Sequence, residues 1–224
     1  MYSVSLDTNS MYVNVWGKII MVEQKRLSKS EQSKVTISRL IEVATKEFSR
    51  RGYAGVSTET IVREANVTRG ALYHHFKGKK ELFYAVFKEA QREIGKRIEE
   101  RAIMVNDSWQ ALIEGCCVFL EACSDPGLQQ IVVIDAPAVL EWSKLREVDA
   151  TMPDSGLAIL KQCLEELRQQ NCIKDIPLDA LAHLLSGAMD EAAVWIAQSD
   201  RHDTALGEAQ SALKVILESL KQEE

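Results

Sequence analysis

Four prolines and eleven glycines in 224 residues are too few for a collagen-like or linker-type polymer, and an apolar content of 46% is too high for a disordered chain. No stretch approaches the ~18–20 apolar residues that a membrane span needs, not even around Ile131–Ile134. Five cysteines cannot all pair within one chain, and Cys116 and Cys117 are adjacent, a poor arrangement for a disulfide scaffold. A reducing cytoplasm is the expected compartment. Signals of catalysis are missing as well: there is no phosphate-cradling glycine loop, no nucleophile elbow and no zinc-type His/Cys spacing. Asp179 and His183 stand one helical turn apart, but such a pair is common on surfaces. The expectation is a protein that is not an enzyme and holds neither metal nor cofactor.

The first 20 residues are mildly apolar, yet they lack a basic start, a compact apolar stretch and a small-residue cleavage site. They do not read as a secretory signal. A second methionine, Met21, precedes a basic, polar run from Glu23 to Ser30. Residues 1–30 are therefore expected to be a poorly ordered extension, with the leader an addition or an early start codon.

What is present is a split of charge. The net charge is −6, but between Lys25 and Lys80 there are 13 Lys and Arg against 5 Asp and Glu, leaving 14 against 28 elsewhere. A basic segment on an acidic body is the electrostatic footprint of a nucleic-acid-binding module joined to a domain that avoids phosphate.

Nearly every segment reads helical. From Ser33, apolar Ile37, Leu40, Ile41, Ala44 and Phe48 recur at helical spacing until Gly52 stops them. Ser57 stands where an N-cap belongs, before a short helix through Ala65, and Thr68 caps another through His75. A long helix starts near Lys79 and ends near Ile103. Further helices are predicted at about 108–124, 126–133, 137–150, 154–170, 178–198 and 203–220. No period-2 strand is evident, so the expected fold is all-α, with residues 31–80 a basic three-helix unit and residues 81–224 an acidic helical body.

Two short helices separated by a tight turn make a helix-turn-helix. The turn needs a residue that tolerates a left-handed backbone, and Asn66 meets that need. The second helix presents Thr68, Arg69, Gly70, Ala71, Tyr73, His74 and His75, and small Gly70 and Ala71 let its backbone approach a major groove. Lys77, Lys79 and Lys80 stand where phosphates would lie. His74 and His75 are not a metal pair, because neighbours on a helix diverge by ~100°.

The run Phe48-Ser-Arg-Arg-Gly-Tyr-Ala-Gly-Val-Ser-Thr58, with Ile61, Ala65-Asn-Val-Thr-Arg-Gly-Ala-Leu-Tyr-His-His-Phe76 and Lys79-Lys-Glu-Leu82, resembles the DNA-binding domain of the tetracycline-repressor (TetR) family of bacterial regulators. The resemblance covers about residues 33–86, with Asn66 in place of the usual turn glycine. It implies a phosphate contact for Thr58, base reading by Arg69, Gly70 and Ala71, backbone and base-edge contacts for Tyr73 and His75, and a phosphate contact for Lys79. It also implies that residues 31–80 are a DNA-binding domain and residues 81–224 a ligand-binding and dimerisation domain, in a homodimeric repressor that binds a near-palindromic operator on double-stranded DNA and is released by a small-molecule effector. A pure protein adaptor would leave the basic recognition helix without a purpose.

In the acidic remainder, the last two helices carry wide apolar stripes expected to meet a second subunit as a four-helix bundle: Leu181, Leu185, Met189, Ala192 and Ile196 on one, Leu206, Leu213, Ile216, Leu217 and Leu220 on the other. Met104, Trp109, Phe119, Trp142, Met152 and Trp195 are candidates to line an effector cavity, plain core being the alternative for each, and Asp135 and His183 are polar groups able to orient a ligand, the alternative being a cap or a solvent-facing position. The cysteines are expected to be buried as small hydrophobes, a thiol oxidant sensor being the alternative.

Overall fold

The structure, a computed structural model, describes residues 10–15, 18–23 and 28–222. The chain divides into two compact units, Met1–Ser38 and Arg39–Glu224. The first holds two strands, β1 (Ser10–Val15) and β2 (Lys18–Glu23), paired antiparallel from Ser10 opposite Glu23 to Val15 opposite Lys18. These two strands depart from the expectation that the chain holds no period-2 strand. The cue was local in the sequence: two β-branched-rich runs separated by two residues, the second a glycine, is a hairpin signature. Residues 1–9, 16–17 and 24–27 of that extension lie outside the described residues.

Among the described residues every other regular element is a helix, apart from an isolated bridge between Ile173 and Lys221. Helix α1 (Lys29–Arg51) begins four residues before the predicted start. It ends at Gly52, whose φ of 69° is the left-handed stop expected there. Next come α2 (Thr58–Glu64), α3 (Arg69–His75) and the 24-residue α4 (Lys79–Ala102). The predicted stripe of α4 is buried throughout, from Leu82 and Val86 through Ala90 to Ile94 and Ile98.

Helix α5 (Ser108–Ser124) is the central rod of the body, packed by α4, α9 (Gly156–Gln169), α10 (Leu178–Gln198) and α11 (His202–Glu218). Between α5 and α9 the prediction of two helices broken near Ile134 was wrong. A short turn α6 (Pro126–Leu128) runs into a π-helical segment, Gln129–Asp135, and on into α7 (Ala136–Val139) without interruption. The break falls instead at Leu140 and Glu141, both extended, before α8 (Trp142–Thr151). Hydropathy cannot reveal a wider turn, because the π form changes which backbone groups pair and not which residues are apolar.

The long helices are held close by one small residue. A Cβ on Gly95 of α4 would lie 2.1 Å from the carbonyl oxygen of Asp154, at the approach to α9. That neighbour is backbone, and it immediately precedes Ser155, the fully buried N-cap of α9 whose Oγ accepts from the Ala158 N–H at 3.2 Å. Gly95→Ala is expected to lower stability by about 1–3 kcal/mol through forced separation of α4 and α9, read as a fall in the thermal midpoint by calorimetry.

Candidate nucleic-acid interface and effector cavity

The helix-turn-helix is built from caps. Ser57 Oγ accepts from the Thr60 N–H at 3.1 Å and starts α2, and Thr68 Oγ1 accepts from the Ala71 N–H at 3.1 Å and starts α3. Between them Asn66 takes φ 51°, and the Asn66 and Val67 N–H groups donate back to the Arg63 and Val62 carbonyls at 3.1 and 3.0 Å. This is the paired C-terminal closure that fixes the angle at which α3 leaves α2. Ile61, Leu72 and Phe76 are buried beneath the motif.

With Leu72 and Phe76 turned inward, the rest of α3 faces outward. Arg69, Gly70, Tyr73 and His74 are exposed, and Ala71 and His75 are half-buried. The Arg69 guanidinium lies 5.5 Å from the Tyr73 ring centre and 3.5 Å from a Glu59 carboxylate oxygen. Thr68 is exposed at the α3 N-cap, and Thr58 opens α2 half-buried. Lys77 is exposed. Lys79, at the start of α4, is half-buried with Nζ 4.0 Å from the centre of the Tyr53 ring. Burial pushes its pKa down while the charge of Asp135 acts the other way.

Asp135 is therefore not where the sequence reading put it. It does not line the cavity of the body; its Oδ2 accepts from the Tyr53 N–H at 2.7 Å, joining the end of the π-helical segment to the turn after α1. Gln130 of the same segment approaches Gly52, where a Cβ would stand 3.1 Å from its Nε2.

The body holds a cavity of about 770 Å³, open to solvent on one side where Trp142 stands 69% exposed. Of the residues expected to line it, Phe119, Trp142 and His183 do. Trp109 instead packs in the core, its indole N–H donating to Glu218 Oε1 at 3.0 Å, and Met152 is likewise buried away from the cavity. Met104 is 78% exposed beyond the end of α4, and Trp195 points outward from α10. Aromatic and sulfur side chains at helical spacing carry no sign of whether they meet protein or space. Residues missed by the sequence reading include Phe87, Arg146, Asp149 and Asp190. The charged three had no sequence signal, since the cavity side of a helix is recognisable only once its neighbours are placed.

Most residues expected at a subunit interface are turned into the subunit's own core. Leu181, Leu185, Met189, Ile196, Leu213 and Leu217 are buried within the subunit, and Ala192, Leu206 and Leu220 are half-buried against the same core. Only Ile216 remains exposed. The outward apolar strip comprises Leu184, Ala188 and Trp195 on α10 with Ala212, Val215 and Ile216 on α11. Both helices are apolar on two sides, and sequence alone cannot say which side the subunit's own core claims.

All five cysteines are free, and Cys116, Cys117 and Cys123 are buried. Burial pushes the Cys116 and Cys123 thiols up to about 12 and Cys163 up to about 11. None of these three has the low-pKa thiol an oxidant sensor needs.

Residues 40–86 match the family described as bacterial regulatory proteins, tetR family, and residues 109–220 match the tetracyclin repressor-like C-terminal domain. The Transposon Tn10 TetC protein of Escherichia coli is 29% identical over 157 residues, 70% of this chain and 78% of that protein. The probable acrEF/envCD operon repressor of Escherichia coli K12 is 29% identical over 163 residues, 68% and 72% of the two chains. A TetR-family transcriptional regulator from Pectobacterium atrosepticum is similar in structure, with a TM-score of 0.74 and 30% identity over 88% of this chain and 99% of that one. With a capped helix-turn-helix ahead of a matching helical body, the chain belongs to the TetR family of DNA-binding transcriptional regulators.

Proposed function

We propose that this regulator is a homodimeric repressor, released from a near-palindromic operator when a small molecule fills the cavity of the body. Its place of action is the cytoplasm, where the DNA is. Arg69, Gly70, Ala71 and His75 read base edges. Tyr73, Thr58, Thr68, His74, Lys77 and Lys79 grip the strands. Arg69 leaves Glu59 to do so, at little cost, because an exposed ion pair contributes only ~0–1 kcal/mol.

The single observation that carries the effector reading is the hydrogen bond from Tyr53 N–H to Asp135. Val132, Val133 and Pro137 line the cavity, while Asp135, within the same short stretch, holds the turn that leads into the DNA-binding helices. A molecule that moves the wall moves the grip. It shifts the equilibrium only by as much as it prefers the displaced arrangement. The apolar strip of α10 and α11 supports pairing of two subunits, which would set two recognition helices about one turn of DNA apart.

Three outcomes test this reading. Tyr73→Ala and Lys79→Ala are expected to weaken binding to a DNA site selected from a random pool by about tenfold each, with circular dichroism unchanged. Loss of Lys79 is expected also to flatten the slope of log affinity against log salt by about 0.9, one phosphate's worth. Gel-shift titrations at several salt concentrations measure both, and unchanged affinity in the two variants would remove the assigned contacts. Val215→Asp buries a charge in the proposed subunit contact, so sedimentation is expected to show monomers and the selected site to be bound far more weakly. Asp135→Ala is expected to weaken DNA binding by several-fold and to blunt effector release, measured by fluorescence anisotropy of labelled DNA; a variant matching the parent in both would break the proposed link.

A further inference from the structure

The charge of the cavity points to the chemistry of its occupant. Its walls are apolar over most of their extent, with Phe87, Ile98, Phe119 and Leu157 among them. Among the lining residues Arg146 is the sole Lys or Arg, against the five carboxylates of Glu99, Asp149, Glu166, Asp190 and Glu191. Glu99, Glu166 and Glu191 are exposed at the rim, so the inner pair is Asp149, half-buried, and Asp190, whose side chain is 48% accessible. Arg146 is already committed. Its guanidinium lies 3.0 Å from Asp149 Oδ2 and 3.6 Å from Asp190 Oδ2, and it stands 4.4 Å from the centre of the Trp142 ring. Two carboxylates therefore share one cation.

The deficit shows at Asp190. Burial pushes its carboxyl up to about 6; Arg146 pulls it down and the Asp149 charge pushes it up further. Against the push of burial on Asp149, Lys161 and His183 act at longer range to lower its pKa, but both are themselves engaged with Asp179. Lys161 sits 2.6 Å from Asp179 and 3.3 Å from His183 Nε2, and His183 is 3.9 Å from Asp179. No group of three or more His, Cys, Asp and Glu side chains among the described residues is arranged to hold a metal ion. The Arg146 Nε–H is buried without an acceptor. It accommodates a neutral ligand oxygen, whereas a full negative charge there would lie beside both carboxylates.

We propose that the cavity takes an organic cation with an apolar, aromatic body, its positive group held at Asp190 beside the Arg146–Asp149 pair and its rings against Phe87 and Phe119. The inference rests on the cavity being the effector site, as proposed above. An ammonium or phosphonium centre buried against an ionised carboxylate meets the opposite charge that the site lacks, and its apolar shell meets the walls. A lipophilic anion of the same size finds the walls but is repelled at the polar end.

The test uses two molecules of nearly equal shape and opposite charge, tetraphenylphosphonium and tetraphenylborate, titrated into the full-length protein and followed by calorimetry. Tetraphenylphosphonium is expected to bind at least tenfold more tightly. Asp190→Asn, which keeps the shape of the side chain and removes its charge, is expected to weaken the cation about tenfold and to narrow the gap between the two. Asp190→Glu is expected to restore the preference, and thermal melting shows whether each variant is folded. Should Asp190→Asn fail to fold, Asp149→Asn takes its place with the same expected loss. Equal or tighter binding of the borate, no binding of the phosphonium, or an unchanged phosphonium affinity in the folded Asn variant would overturn the proposal. Release of labelled DNA is measured separately. Phosphonium binding without release leaves the ligand class standing and defeats the effector reading; release by the borate alone does the reverse.

Discussion

Phe83 of α4 meets Phe48 of α1 edge-on at 5.3 Å and Tyr53 at 5.0 Å, and the placement of the DNA-binding head depends on this cluster. Aromatic pairs of this kind are worth about 0.5–1.5 kcal/mol beyond the area they bury. Here they do more than add stability. Helix α4 is a single rod with Leu82, Phe83 and Val86 buried beneath the head and Ile94 and Ile98 buried in the body. Fixing the head to the first turns of α4 therefore fixes it to everything that α4 touches. Lys79 over the Tyr53 ring and Asp135 on the Tyr53 N–H close the same junction from two further directions.

The two halves of the molecule use charge in opposite ways. Around α3 the carboxylates are few, and the one nearest the recognition surface, Glu59, pairs loosely with an arginine that remains 66% exposed. In the cavity the carboxylates outnumber the cation, and the arginine is spent in holding two of them. A net charge of −6 for the whole chain conceals both arrangements.

The head was legible because its structure is written in local chemistry. Ser57 and Thr68 cap, Gly52 and Asn66 take left-handed backbone, and Leu72 and Phe76 turn inward, each at the position that the residue type demands. Helices α5 and α10 were equally legible, since caps or proline mark their starts and their apolar period is unbroken. The failures share another cause. Asp135 reads as a polar residue in an apolar run, and only the three-dimensional path shows that it reaches a backbone N–H 82 residues earlier in the chain. Leu185 and Leu184 are adjacent and chemically identical, yet one is in the core and the other 72% exposed. The π-helical segment lies beyond any hydropathy pattern, and the hairpin was passed over because its strands do not alternate cleanly.

The buried cysteines have a consequence of their own. Cys116, Cys123 and Cys163 line the cavity, and each is held as a protonated thiol at any ordinary pH. Alkylation requires both access and a thiolate. For Cys116 and Cys123, 4% and 1% exposed, the modification rate of the folded protein is governed by how often the helical wall parts. An alkylating reagent thus becomes a clock for the breathing of the body, with its hands already in place in the native sequence.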